Sequence, residues 1–144
     1  MADAAGSAGF PRIVRVLRPD DFARVFAVRR SAASGPLVLY ACPAEVAGGP
    51  ARLGLSVSRR IGNAVVRNRW KRRLREAFRL VRQRLPQGND FVIVVRSGVT
   101  PRRAEGARQV EEMLLSLAMR VVGRSGYAAA LPITPGATPP RRRR

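Results

Sequence analysis

The longest helical pattern in the chain, from about Asn63 to Leu85, sets the strongest limit on its fold. Apolar residues recur there at steps of three and four, so they form one stripe along a helix. The surrounding residues are largely cationic: positions 59–84 hold 11 basic side chains and one acidic side chain, Glu76. Such a helix has to bury its stripe against the rest of the chain and present its charges to solvent. The stripe consists of Val66, Trp70, Leu74, Ala77, Phe78, Val81 and Leu85.

Strand patterns elsewhere in the chain predict the surface that covers this stripe. Residues 52–58 alternate between large apolar and small or polar side chains, which indicates a strand with one buried face. Residues 91–95 are apolar on both faces and are typical of a central strand. A third strand is predicted at 37–42, and a short fourth strand near Ala27 to Ser31.

Two further helices are predicted from their starting residues. Pro19-Asp20-Asp21 opens a short helix on which Phe22, Val25 and Phe26 share one face. Thr100-Pro101 opens the last helix. The predicted core face of that helix is Ala107, Val110, Leu114, Leu117, Ala118 and Val121.

These elements predict an α+β sandwich of one sheet, with its helices packed mostly on one side. The predicted domain covers residues 11–125. Residues 1–10 are expected to form a flexible N-terminal tail, and residues 126–144 a disordered tail rich in proline and arginine.

Charge composition indicates a polyanionic partner. The net charge is +19 over 144 residues, while a hydrophobic fraction of 46% still allows a folded core. Lys71 is the only lysine among the 28 basic residues. Guanidinium groups fork onto phosphates and stack on bases, so a surface rich in arginine suits nucleic acid.

Composition also argues against chemistry performed by the chain itself. The absence of histidine removes the commonest general base and metal ligand, so Ser56 and Ser58 are not expected to act as nucleophiles. A lone Cys42 suits a reducing compartment, and the first residues do not resemble a secretion signal. We therefore expect no catalytic residue, no metal site and no membrane span, and a cytoplasmic location.

Three cations of the basic helix follow one another on a single flank. Arg67, Lys71 and Arg75 are each four residues apart, a rise of roughly 6 Å per step that is comparable to one nucleotide of extended strand. Glu76 is predicted to lie on the opposite flank, beside Arg69 and Arg73. A merely solvated face is the alternative, although exposed helix faces ordinarily mix charges of both signs.

The segment from Gly54 to Arg79 resembles the signature of the bacterial ribonuclease P protein component. Its centre is the triplet Arg67-Asn68-Arg69, followed by Lys71-Arg72 and then by Arg75. The resemblance covers about residues 12–122. It implies a single domain in the order αβββαβα, with a left-handed βαβ crossover, like the second domain of ribosomal protein S5. It also implies the small protein partner of a catalytic RNA that removes the 5′ leader from precursor tRNA.

The resemblance assigns roles to individual residues. It implies partnership with the catalytic RNA and with precursor tRNA, and with neither DNA nor a membrane. It implies no cofactor bound by the protein alone, and Mg²⁺ that serves the holoenzyme through its RNA. Trp70 replaces the aliphatic residue usual in the family, so the helix is expected to pack differently there. The implied contacts to the catalytic RNA are Arg59, Arg60, Gly62, Asn63, Ala64, Arg67, Asn68, Arg69, Lys71, Arg72 and Arg75, and the implied cleft for the leader is lined by Phe22, Phe26, Tyr40, Ser56 and Ser58.

Other functions remain compatible with a small basic domain. A structural RNA-binding protein of the ribosomal type, without a processing role, shares its size and charge; only the Arg-Asn-Arg region argues against it. A cationic helix on a membrane surface is disfavoured because the basic helix sits among core strands. Nothing in the sequence resembles a zinc finger or a dimeric recognition helix for duplex DNA.

Overall fold

The computed structural model describes residues 18–44, 49–96, 103–124 and 127, and the side chains of 103–107 are outside this description. The elements follow the order αβββαβα that the resemblance implies, so that prediction is confirmed. The bounds are α1 Pro19–Val28, β1 Ser31–Ser34, β2 Leu37–Pro43, β3 Arg52–Val57, α2 Ala64–Val81, β4 Asn89–Val95 and α3 Arg103–Val122, with a 3₁₀ turn at Arg59–Ile61 before α2.

The strands form one mixed sheet in the order β1-β2-β4-β3. Neighbours pair antiparallel except β3 and β4, which run parallel and are joined through α2. The connection through α2 allows the parallel pairing, since parallel neighbours require a long crossover, and β4 is central because it pairs with both β2 and β3. All seven residues of β4 are buried, as its apolar run predicts.

Period-two alternation assigns the side chains of each strand to two separate cores. On one face, Leu39, Leu53 and Ile93 belong to the main core beneath α2 and α3. On the other face, Val92 and Cys42 belong to a smaller core that packs against α1. Two helices therefore cover one face and a single short helix lies on the other, which confirms helices mostly on one side.

The apolar stripe of α2 is buried as predicted. Trp70, Leu74 and Phe78 are at most 1% exposed, and Val66 is partly buried at the edge of the core. The Trp70 indole Nε1 is buried and has no hydrogen-bond partner. The indole therefore packs into the core as an apolar ring, at the position where the resemblance implies an aliphatic residue.

Two element boundaries differ from the sequence prediction. The basic helix predicted to extend to Leu85 ends at Val81, and Leu85 is buried in the turn that follows. The short strand predicted near Ala27 to Ser31 is wrong: α1 continues to Val28, and β1 covers Ser31–Ser34. Arg29 ends α1 in the left-handed conformation, with φ of 59°, and its N–H donates to the Phe26 carbonyl. Tyr127, two residues past the predicted domain end, is only 3% exposed and lies in the main core. The predicted tails otherwise lie outside the described residues.

Candidate nucleic-acid interface

A glycine turn connects β3 to the basic helix. Gly62 has φ of 157°, and its N–H donates to the Arg59 carbonyl at 3.3 Å. A Cβ built at this position would lie 3.0 Å from the Val66 Cβ. Both the backbone conformation and the close approach of α2 therefore favour glycine, as the sequence predicts for this turn.

Asn63 caps the basic helix. Its backbone is extended, and its side-chain Oδ1 accepts a hydrogen bond from the Val66 N–H at 3.0 Å. Arg67 joins the same turn, because its Nε donates to the Gly62 carbonyl at 3.2 Å. The cap and this arginine contact hold the start of α2 against the turn that follows β3.

The cations of this region lack compensating carboxylates. Within the described part of the chain, no ion pair involves a basic residue between Arg59 and Arg75. Like charges at this density repel one another unless an anion is bound. Among the residues implied to contact RNA, Arg59, Arg60, Asn63, Ala64, Asn68, Arg69, Arg72 and Arg75 are exposed, and Gly62, Arg67 and Lys71 are half-buried.

Glu76 forms an ion pair with Arg79 on the basic helix. Its carboxylate accepts from Arg79 Nε at 3.1 Å and from Arg79 Nη2 at 2.5 Å. These hydrogen bonds hold the pKa of Glu76 below its usual range. The helix keeps Glu76 on the flank of Arg69 and Arg73, as expected, and Arg79 lies within reach because it is three residues further along.

Three aromatic residues implied for the leader cleft lie together on the sheet face opposite α2. Phe22 and Phe26 of α1 and Tyr40 of β2 are half-buried against the smaller core. The rings of Phe26 and Tyr40 meet edge to face, with centroids 4.9 Å apart. Their partial exposure leaves ring surface available for stacking on a base.

The two serines implied for the cleft lie toward the end of β3 that leads to the basic turn. Ser56 pairs with Val94, so its side chain is on the same face as the aromatic rings. Gly54 lies across Val92 from Tyr40 and adds no side chain between them. The Ser58 Oγ is buried and has no hydrogen-bond partner. The sheet thus brings four of the five predicted cleft residues to one face, with Ser58 just after the strand.

A buried ion network fixes α1 to this face, and sequence patterns did not predict it. Asp90 is fully buried and accepts from Arg52 Nε at 2.8 Å and Arg52 Nη2 at 2.7 Å. Arg24 of α1 donates to the same carboxylate. Asp21 lies 3.4 Å from Arg52 and 3.6 Å from Arg24. The hydrogen bonds to Asp90 raise the pKa of Arg52, which keeps it charged. The feature of the sequence that could have indicated this network is Asp90, an acidic residue at the start of an apolar strand.

The described residues contain neither a cluster of metal ligands nor a candidate membrane span. No group of three or more histidine, cysteine, aspartate or glutamate side chains is placed to hold a metal ion there. None of the helices in the described ranges combines the length and apolar character needed to cross a membrane.

Comparison with known proteins identifies the family. The family model described as Ribonuclease P matches residues 10–119. The chain is 42% identical over 108 residues to the ribonuclease P protein component of Brevibacillus brevis, covering 74% of this chain and 81% of that protein. It is 38% identical over 110 residues to the same component of Pelotomaculum thermopropionicum, covering 76% and 94%.

A solved structure agrees with these sequence matches. The RNase P protein of Staphylococcus aureus superposes with a TM-score of 0.57 at 30% identity, covering 72% of this chain and 91% of that one. The sequence matches, the shared fold and the motif that follows β3 lead to one conclusion: the chain belongs to the bacterial ribonuclease P protein family.

Proposed function

We propose that this chain is the RNA-binding subunit of ribonuclease P, in which a catalytic RNA removes the 5′ leader from precursor tRNA. The observation that carries the proposal is the uncompensated cationic surface on the turn after β3 and on α2. We call this surface, comprising Arg59, Arg60 and the cations of α2 up to Arg75, the α2 surface. Its arginines can bind phosphates in a bidentate manner.

The aromatic face is assigned to the single-stranded leader. Phe22, Phe26 and Tyr40 offer partly exposed rings, and single-stranded RNA is recognised largely by stacking on such rings. β3 runs from this face directly into the α2 surface. A leader lying across the rings would therefore be close to the RNA bound at the basic turn.

The chemistry is assigned to the RNA, together with the Mg²⁺ that the RNA binds. The protein contributes positive charge, which offsets repulsion between the phosphates of the two RNAs. We therefore expect the isolated protein not to cleave precursor tRNA, and addition of the catalytic RNA to give cleavage at a lower Mg²⁺ concentration than the RNA needs alone. Cleavage by nuclease-treated, RNA-free protein would contradict this assignment.

Replacing Arg67, Lys71 and Arg75 with glutamine tests the α2 surface. Affinity for the catalytic RNA should fall, and the dependence of log affinity on log salt should become shallower, because fewer counterions are released. Glutamine retains an amide that can donate to the Gly62 carbonyl, so folding should be little changed. The Arg84→Gln/Arg108→Gln variant is the control, since both arginines are exposed and lie outside this surface.

Equal salt slopes for the two variants would show that the α2 surface is only solvated. Sequencing the RNA that copurifies from the native cell gives an independent check. One abundant structured RNA is expected, and ribosomal RNA alone would favour a structural protein of the ribosomal type.

A further inference from the structure

A second set of arginines lies along the edge strand β1. Among the described strands it has a neighbour only on the β2 side, so half of its backbone groups have no partner in that sheet. Arg124 Nη1 donates to the Ser31 carbonyl, and Arg120 Nη1 donates to the Ala33 carbonyl at 3.5 Å. Two side chains of α3 therefore donate to backbone carbonyls that lie two residues apart on the outer edge of β1.

Arg96 extends this row beyond the end of β1. Its Nε donates to the Gly35 carbonyl at 2.9 Å, and its backbone N–H donates to the Pro36 carbonyl at 2.7 Å. Arg96, Arg120 and Arg124 are all exposed. Three guanidinium groups are thus anchored in succession, at Ser31, Ala33 and Gly35.

The spacing and the remaining donors of these arginines suit a chain of phosphates. The Ser31 and Ala33 carbonyls, two residues apart on β1, are separated by about 7 Å, which is of the order of the distance between successive phosphates, and Gly35 follows in the turn after the strand. A guanidinium has five N–H groups, so one bond to a carbonyl leaves several available. No carboxylate pairs with any of the three within the described residues.

This row is separate from the α2 surface. β1 and β3 are the two edges of the sheet, three strand spacings or about 14 Å apart. On the main-core face, α2 packs against β3, whereas α3 packs against β1 and β2. The phosphates held by the turn after β3 and those held at the β1 edge are consequently different phosphates.

We propose that Arg96, Arg120 and Arg124 form a second phosphate-binding surface, which holds a backbone segment distinct from the one on the α2 surface. The inference rests on the proposed function, because it assumes that RNA is the partner. The segment comes either from the catalytic RNA or from the body of precursor tRNA, and both present the same phosphate chemistry. The competing role of these arginines is to block the addition of another strand at the edge.

Two variants together separate charge from edge protection. Arg120→Gln/Arg124→Gln removes both charges and, because glutamine is shorter than arginine, also withdraws the Nη1 donors from the Ser31 and Ala33 carbonyls. Arg120→Lys/Arg124→Lys keeps both charges but has no guanidinium group. The Arg84→Gln/Arg108→Gln variant removes two exposed charges elsewhere and serves as the matched control. Each protein is titrated with catalytic RNA, and each reconstituted holoenzyme is titrated with precursor tRNA, over a range of salt concentrations.

We expect the edge variant to lower the salt slope by about 1.5 in one or both titrations, since each lost phosphate contact removes about 0.7 to 0.9. A lower slope with catalytic RNA assigns the segment to that RNA, and a lower slope with precursor tRNA assigns it to the substrate. The control should keep the wild-type slope in both titrations. Nuclease footprints should also show the edge variant losing protection at nucleotides other than those lost by the α2-surface variant.

Edge-variant slopes equal to those of the control would overturn the inference, whether or not the variant self-associates. If the edge variant melts early, the single variants Arg120→Gln and Arg124→Gln provide the test: each should lower the slope by about 0.7 to 0.9, and slopes equal to that of the control would overturn the inference. The Arg120→Lys/Arg124→Lys variant keeps the charge and should retain the wild-type slope, and a loss of slope in this variant would also overturn the inference. A different result would contradict the proposed function itself: a wild-type protein that does not bind catalytic RNA at all.

Discussion

Two adjacent residues determine where the cations of α2 begin. Gly62 takes a backbone conformation that other residues rarely adopt, and Asn63 caps the helix through its side-chain oxygen. Both also belong to the motif implied to contact RNA. At this turn the requirements of folding and of binding therefore fall on the same residues, and single substitutions can separate them.

Asn63→Asp should separate stability from binding. The carboxylate can still cap the helix and interacts favourably with the helix dipole, so the free energy of unfolding should stay within about 0.5 kcal/mol of wild type. Affinity for catalytic RNA should fall, because the new negative charge lies among Arg59, Arg60 and Arg67. Asn63→Ala is the control and should cost about 1 kcal/mol of stability. Urea denaturation and RNA titration measure the two effects; unchanged affinity of the Asp variant would place the RNA away from this turn.

Tyr40→Ala should weaken binding of precursor tRNA that carries a leader by roughly 1 to 3 kcal/mol, the usual loss for one stacked base. Mature tRNA should bind almost as before, because it lacks the single-stranded segment. Val38→Ala is the matched control, since Val38 lies on the same face of the same strand. Titrations with the two RNAs and thermal melts decide the matter. A fall in melting temperature without a leader-specific loss would make Tyr40 a packing residue.

At the scale of elements, α1 is positioned by charge as well as by packing. Asp90 accepts hydrogen bonds from Arg24 of α1 and from Arg52 of β3, so one carboxylate connects the helix to the sheet. Val25 adds apolar contact with the smaller core. Because α1 carries Phe22 and Phe26, this network also determines where two of the cleft rings lie.

Asp90→Ala should therefore destabilise the fold by about 2 to 4 kcal/mol, because it removes the carboxylate that hydrogen-bonds to both partly buried arginines and leaves them only Asp21. Loss of α1 contacts should weaken leader binding as well. Asp20→Ala provides the comparison, since Asp20 is exposed in the first turn of the same helix and should cost less than about 1 kcal/mol. Urea denaturation of both variants checks the ranking. Equal and small costs would mean that solvent, rather than Asp90, neutralises the two arginines.

At the scale of the whole molecule, a net charge of +19 opposes compactness in the absence of RNA. Raising sodium chloride from low concentration to about 0.5 M should raise the melting temperature, because salt screens repulsion between exposed cations. The same change should weaken RNA binding. Thermal melts and RNA titrations across one salt series test both directions. A melting temperature that falls with salt would indicate that attractive ion pairs dominate the surface.

Tyr127 links the end of the described chain to the start of β4. Its hydroxyl donates to Asn89 Oδ1 at 2.7 Å, and burial raises the pKa of Tyr127 well above its ordinary value near 10. Above about pH 10 the unfolded chain releases this proton while the folded chain retains it, so stability should fall as pH rises. Below that pH the contribution is constant.

Tyr127→Phe should cost about 1 to 3 kcal/mol near neutral pH, because Asn89 Oδ1 loses its donor. The cost should shrink at about pH 11, where the wild-type protein has lost part of the contribution of Tyr127. Urea denaturation at the two pH values measures the difference. A cost that is independent of pH would show that the phenol is not protected from titration in the folded state.

Local patterns in the sequence were sufficient to predict most of the secondary-structure elements and to identify the basic motif. Period-two and period-3.6 patterns identified three of the four strands and the buried stripe of α2. They do so because a buried face requires apolar side chains at regular intervals along the sequence. The glycine turn was also predictable, since its requirement is local. The position of β1 was not, because α1 continues through the short segment that resembled a strand.

Contacts between distant residues were decided only by the tertiary structure. Asp90 meets Arg24 and Arg52 across 66 and 38 positions of sequence. Arg120 and Arg124 reach Ala33 and Ser31 because α3 packs against the edge strand. The sequence pattern around a charged residue does not show which residue it pairs with. The partner depends on how the strands and helices are arranged. The sequence alone therefore determined the elements and the basic motif, whereas their packing determined which charges are paired and which remain available to bind RNA.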